Sequence, residues 1–203
     1  MILFILLALM EEIIFRGILY RITEQYLGTW MALIICALLF GIFHITNEHA
    51  DFLGIVSTAS GGIMLGVLNT AGGRLWLPLP VHTGWNFFQY FFGLPVSGMD
   101  DFQYFMNASR EGPDWFVGGG FGTENSLVTI LLVLGISGLL LYRIRTMGMI
   151  IKPGWKKYSS FIDSGHSIHF NLKTKVKVPR GNDGPGRTVI TEDFRIYFVY
   201  FPP

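Results

Sequence analysis

The sequence predicts an all-α protein, a polytopic bundle of about five transmembrane helices followed by a short C-terminal tail. Three observations carry this. Of 203 residues, 51% are hydrophobic and only 14% are charged, where a soluble domain carries about a quarter. Several apolar runs approach the ~20 residues that a helix needs to cross the hydrocarbon core. The charges between those runs sort into a basic and an acidic set at alternating helix ends. A net charge of +1 leaves no basic footprint for nucleic acid. The single cysteine, Cys36, lies in an apolar run, excludes an internal disulfide and reads as packing.

The first helix is expected from about Met1 to Tyr26. It lacks a basic start and carries acids in its middle, so it does not read as a signal peptide. It also begins without a polar lead-in, so upstream sequence is expected to be missing. The second helix follows the Leu27-Gly28-Thr29 break and covers Trp30–Ile45. The third, roughly Phe52–Thr70, has Gly62 and Gly66 four apart, a spacing that lets helix backbones approach closely. The fourth covers about Leu75–Phe92 and the fifth about Ser126–Tyr142. If the five alternate, Arg21, Arg74, Arg143, Arg145, Lys152, Lys156 and Lys157 fall on one side. Glu48, Asp51, Asp100, Asp101, Glu111, Asp114 and Glu124 fall on the other. The basic side is cytoplasmic by the positive-inside rule, and the loop Gly93–Asn125 is outside in a bacterial-type membrane or lumenal in an internal one. A prokaryotic plasma membrane is the expected location.

Residues 1–146 thus form the bundle and 147–203 the tail. In the tail, Phe170–Val178 alternates apolar and polar residues, the strand period. Pro179–Gly186 reads as a turn-rich connection, and Thr188–Phe201 as a second strand-like segment. Two strands alone are marginal in water, so the tail is expected to be a cytoplasmic hairpin or a disordered arm. It shows no chemistry, and His166 and His169 read as surface residues.

The polar residues inside the helices carry the functional argument. Glu11, Glu12 and Arg16 interrupt an almost wholly apolar run, and each costs roughly 2.5–3.5 kcal/mol at the centre of a membrane helix. Glu12 and Arg16 are four apart and can pair on one face. Glu11 lies about 100° round the helix and needs a partner from elsewhere. His44 ends Phe40-Gly41-Ile42-Phe43-His44 on the second helix. His82 and Asn86 are four apart on the fourth and share a face. A single buried histidine is as often a satisfied core group as a catalyst. Polar groups from three helices, however, must find one another or water within lipid, and one hydrated pocket is the simplest solution.

Such a set suits amide hydrolysis. A carboxylate beside a histidine can take a proton from water, while a second histidine and an asparagine amide can donate to the developing oxyanion. Two histidines with one or two carboxylates equally suit a zinc site with its fourth position left to water, the candidate ligands being Glu11, His44 and His82. There is no H-E-x-x-H, and His44 and His49 are wrongly spaced for one helical face. Glu124 follows the Gly118–Gly122 loop and reads as a helix start near the positive end of the fifth helix. Trp76, Trp85 and Trp115 read as interface anchors, and Gln89 and Tyr90 as weaker candidates for lining a pocket.

The segments EEIIFR, FGIFH and HTGWN resemble the motifs E-E-x-x-x-R, F-x-x-x-H and H-x-x-x-N of the CAAX protease and bacteriocin-processing (CPBP, or Abi) family, the type II CAAX prenyl endopeptidase-like intramembrane proteases. All three occur in order on apolar helices, and the resemblance runs from Met1 to about Arg145. It implies a membrane endopeptidase acting on a peptide or protein substrate within or beside the bilayer, prenylated CAAX peptides being one option. By motif, Glu11 and His44 would activate water and His82 and Asn86 would stabilise the oxyanion. Glu12 and Arg16 would support the site. Family members usually carry helices before the first motif, so the chain is expected to be N-terminally truncated relative to them. The tail lies outside the family pattern. Two rivals keep the pocket without the protease chemistry: a non-catalytic scaffold or bacteriocin-immunity protein, and a proton-coupled transporter. The transporter is the weaker, because no internal repeat relates the two halves.

Overall fold

The computed structural model describes residues 2–100 and 104–154, all within one compact unit, Met1–His166. These residues are helical throughout their regular parts. The expected hairpin or disordered arm lies, from residue 155 onward, outside the described residues.

The first helical run is continuous from Ile2 to Leu27 but is not one α-helix. Helix α1 (Ile2–Glu12) passes into a π-wound stretch, Ile13–Tyr20, and then into α2 (Arg21–Leu27). The widened winding begins directly after Glu12 and contains Arg16, and π-turns of this kind are frequent at functional sites. Helix α3 (Thr29–Phe43) continues as one 3-10 turn, His44–Thr46. Then follow α4 (Phe52–Gly72), α5 (Pro78–Phe92), the short α6 (Asp114–Val117) and α7 (Leu127–Thr146). Helix α5 starts three residues later than the sequence suggests. Gly73, at φ 64°, ends α4, and Pro78 supplies the first turn of α5, where its missing N–H costs nothing.

Three of these segments are long and apolar enough to cross a membrane: Thr29–Thr46, Phe52–Gly72 and Leu127–Thr146. The other two expected spans are less simple. The first carries its acids, arginines and the π-wound stretch, and α5 has only 15 residues. Only 22% of the α7 window is buried, and Leu131, Leu132, Leu139 and Tyr142 stand out from it. An apolar surface this extensive suits lipid better than water.

Helices α3 and α4 form the centre. A Cβ on Gly62 would sit 3.0 Å from the Ala37 Cα, and one on Gly41 would sit 2.9 Å from the Ile55 carbonyl oxygen. The glycines therefore set the close approach of these two helices, as small residues do in membrane bundles.

The two ends that the charge pattern separates are held apart by different contacts. At the basic end, Arg21 Nη2 donates to the Gly73 carbonyl at 3.2 Å. There too the strand of chain after α7 returns to α3, with Ile151 N donating to Thr29 Oγ1 at 2.9 Å. At the acidic end, Asp51 caps α4 and Ser126 caps α7, each accepting from a backbone N–H of the first turn. The loop between α5 and α7 folds over this end. Asn47 Nδ2 donates to the Ser97 carbonyl at 2.9 Å, and Asn125 Nδ2 to Asp51 Oδ1 at 3.2 Å. Gly98 and Gly122, at φ 85° and 117°, lie where a Cβ would strike the carbonyls of Glu48 and Pro95. The loop is thus tied down to the helix ends.

Candidate active site

Glu12 is fully buried and Arg16 is 1% exposed. Arg16 Nη1 donates to Glu12 Oε1 at 2.8 Å, and Nη2 reaches the Gly62 carbonyl at 3.3 Å. The guanidinium lies 4.4 Å from the centroid of the Phe40 ring, a cation–π distance. The π-wound stretch thus still brings the i, i+4 pair together, and the close approach permitted by Gly62 supplies a backbone acceptor.

His82 comes to the same carboxylate from α5. Its Nδ1 stands 2.9 Å from Glu12 Oε1, and its Nε2 stands 3.7 Å from Glu11 Oε2. A carboxylate only accepts, so Nδ1 carries the proton and donates to Glu12. Nε2 is then the atom turned towards Glu11. Glu11, which has no partner on its own helix, finds this one across the bundle. Its Oε2 is buried and makes no hydrogen bond.

His44 sits at the 3-10 end of α3 and is 5% exposed. Its Nδ1 lies 2.8 Å from the Phe40 carbonyl oxygen. A carbonyl cannot donate, so Nδ1–H is the donor and the Nε2 lone pair is free. Both imidazoles lean on the Phe40 ring, with centroids at 4.7 Å for His44 and 6.0 Å for His82. Phe40 therefore serves both histidines and Arg16.

His44, His82 and Asn86 line one cavity of about 60 Å³, together with Ser57, Thr58, Ser97 and Glu124. That is room for about four waters. Glu11 does not line it but reaches it through His82. Among the described residues no three His, Cys, Asp or Glu side chains gather closely enough to hold a metal ion. Glu11, His44 and His82 do not form such a cluster here.

Glu124 is the residue that sequence reasoning underweighted. It belongs to a 3-10 turn before α7, as a helix start would have it, but it is 7% exposed and faces the cavity of the histidines. Trp85 Nε1 donates to its Oε2 at 3.0 Å and Gln89 Nε2 does so at 3.2 Å. Ser57 Oγ donates to its main-chain carbonyl. Trp85 is therefore more than an interface anchor, and Gln89 acts by holding Glu124 rather than by lining the cavity. Tyr90 packs on Phe4 instead, at 5.2 Å between ring centroids. One signal was available: Trp85 and Gln89 are four apart and share a face of α5.

Fold and site together define a helical membrane protein with an acid–imidazole cluster beside a small buried cavity. Residues 1–88 match the family described as Type II CAAX prenyl endopeptidase Rce1-like, a peptidase family, and this stretch contains all three motifs. No curated protein and no solved structure matches the chain.

Proposed function

We propose that this protein is an intramembrane endopeptidase that hydrolyses a peptide bond of a membrane-associated peptide or protein. The observation that carries the reading is the contact of His82 with both Glu11 and Glu12 at the wall of a cavity that His44 and Asn86 also line. It sits as a multi-pass protein of the cell membrane, with its basic helix ends in the cytoplasm.

Glu11 is the general base. As the Glu11 carboxylate takes a proton from water, the water oxygen bonds to the scissile carbonyl carbon and that carbonyl becomes an oxyanion. His44 Nε2 accepts a hydrogen bond from the water's second O–H, which stays on oxygen, and so orients the nucleophile. Asn86 Nδ2–H donates to the oxyanion, with His82 as the second donor from the same face of α5. On collapse the C–N bond electrons pass to nitrogen, which takes the proton from Glu11, and acid and amine products separate. Glu12 and Arg16 are positioning residues: they fix the proton on His82 Nδ1 and hold its ring.

The test is cleavage of a membrane-anchored reporter by the purified protein in detergent or liposomes, with and without a chelator. Glu11→Ala, His44→Ala and His82→Ala should each abolish cleavage while membrane insertion persists, and the chelator should leave the rate unchanged. Full activity in any one variant overturns the assigned roles. A Glu11→Gln protein with an unaltered phenotype would make the chain a scaffold instead.

A further inference from the structure

We infer that Glu124 forms a lysine-binding subsite beside the scissile bond, so that the protein prefers substrates carrying a lysine there. The inference rests on the endopeptidase reading. It concerns a residue beyond the stretch matched by the family, which ends at residue 88.

The argument starts from charge. A buried carboxylate is costly unless it is paired and hydrogen-bonded. Glu12 has Arg16 and His82; among the described residues no arginine, lysine or histidine is paired with Glu124. What it has are two neutral donors, Trp85 and Gln89, both on Oε2. The other oxygen, Oε1, is buried and has no hydrogen-bond partner. Gln89 is itself oriented, since its Oε1 accepts from Thr123 Oγ1 at 3.3 Å. The carboxylate is thus fixed in direction, on a side chain that lines the cavity, with Oε1 left without a partner.

The form of the vacancy selects the ligand. The bidentate fork by which arginine binds carboxylates most strongly needs both oxygens, and Oε2 is already taken twice, which leaves only a single-oxygen contact of the kind Arg16 makes with Glu12. An ammonium is a point charge and needs only one. The remaining walls suit the stem of a lysine, whose methylenes lie along apolar surface while the head seeks charge. They include Met64, Leu65, Ile130 and Val133 from α4 and α7. Because His44, His82 and Asn86 line the same cavity, a side chain seated there belongs to a residue next to the bond being cut.

The experiment uses paired fluorescent peptides that differ only in lysine or norleucine beside the cleavage site, plus an acetyl-lysine peptide. Binding is read by anisotropy on the full-length Glu11→Gln protein in detergent, and kcat/KM is read on the wild type. The lysine peptide should bind at least about tenfold tighter than either neutral one, the low end for a desolvated charge pair. Glu124→Gln should bring the ratio to about one. Glu124→Asp, which keeps the charge but retracts it, should retain a weaker preference and covers the case in which Glu124→Gln does not fold. Equal binding of the three peptides overturns the subsite, and so does a lysine preference that survives Glu124→Gln. A lysine preference in binding with no cleavage of any peptide would defeat the protease reading and leave the subsite standing.

Discussion

Glu12 and Glu124 are two buried carboxylates solved in the same geometry with opposite chemistry. In each, one oxygen accepts two donors and the other is buried without a hydrogen bond. On Glu12 the donors are a guanidinium and an imidazole; on Glu124 they are an indole and an amide. The first charge is neutralised within the chain, so it can serve as a fixed post for His82. The second is held in direction by neutral donors, with no cation paired to it among the described residues, and a substrate ammonium would supply the missing charge. A buried acid with its own cation is part of the scaffold, and one without is an offer to a ligand.

The largest expected effect comes from making Glu12 resemble Glu124. Arg16→Met removes the cation and leaves a buried charge, which typically costs about 3–5 kcal/mol. Unfolding in mixed detergent micelles should show a loss of that size. Adding Glu12→Gln to Arg16→Met removes the orphaned charge and should recover part of it, since the two residues are in contact and their effects do not add. A double variant as unstable as the sum of the two singles would mean that Arg16 acts through Phe40 and Gly62 rather than through Glu12.

This contrast also shows what could be read from sequence. The Glu12–Arg16 pair was legible because both partners lie on one helix at a spacing that geometry fixes. His82 and Asn86 were legible for the same reason, and His44 because a polar group in oil needs company. Of Phe40 only the position was legible, as the first residue of the F-x-x-x-H motif, and not that its ring touches two imidazoles and a guanidinium. The π-wound stretch was hidden too: an i, i+4 pattern looks the same whether the turn between is α or π. Glu124 was hidden by its address. It sits in a polar, glycine-rich loop where a carboxylate is ordinary, and only the fold of that loop back over the helix ends brings it to the cavity. Its donors, Trp85 and Gln89, come from a helix 35 or more positions away.

A smaller effect separates rate from stability. Asn86 lines the cavity together with His44, His82 and Glu124 but carries no charge. Asn86→Ala should lower kcat by roughly 10²–10³, the usual loss for one oxyanion donor, with KM nearly constant. Its unfolding in micelles should move far less than that of Arg16→Met. If the variant instead raised KM at constant kcat, Asn86 would be a substrate-binding group and the oxyanion would need another donor.

The smallest effect tests the Glu124 side most finely. Trp85→Phe keeps a ring at a position that is 37% exposed but removes one of the two donors on Glu124 Oε2. Gln89 remains, so the carboxylate should loosen rather than turn away. A neutral hydrogen bond is worth about 1 kcal/mol net, so the preference for lysine over norleucine should weaken by about fivefold. Trp76→Phe is the control. Trp76 is 63% exposed, and its indole donates only to the Gly72 carbonyl of its own chain turn at 3.3 Å. A tryptophan that merely anchors the bundle at the membrane surface should be interchangeable with phenylalanine at both positions. Equal lysine preference in the two variants would make Trp85 an anchor and leave Gln89 as the group that aims Glu124. A loss confined to Trp85→Phe would tie substrate selection to the indole N–H, a donor that belongs to the same helix as His82 and Asn86.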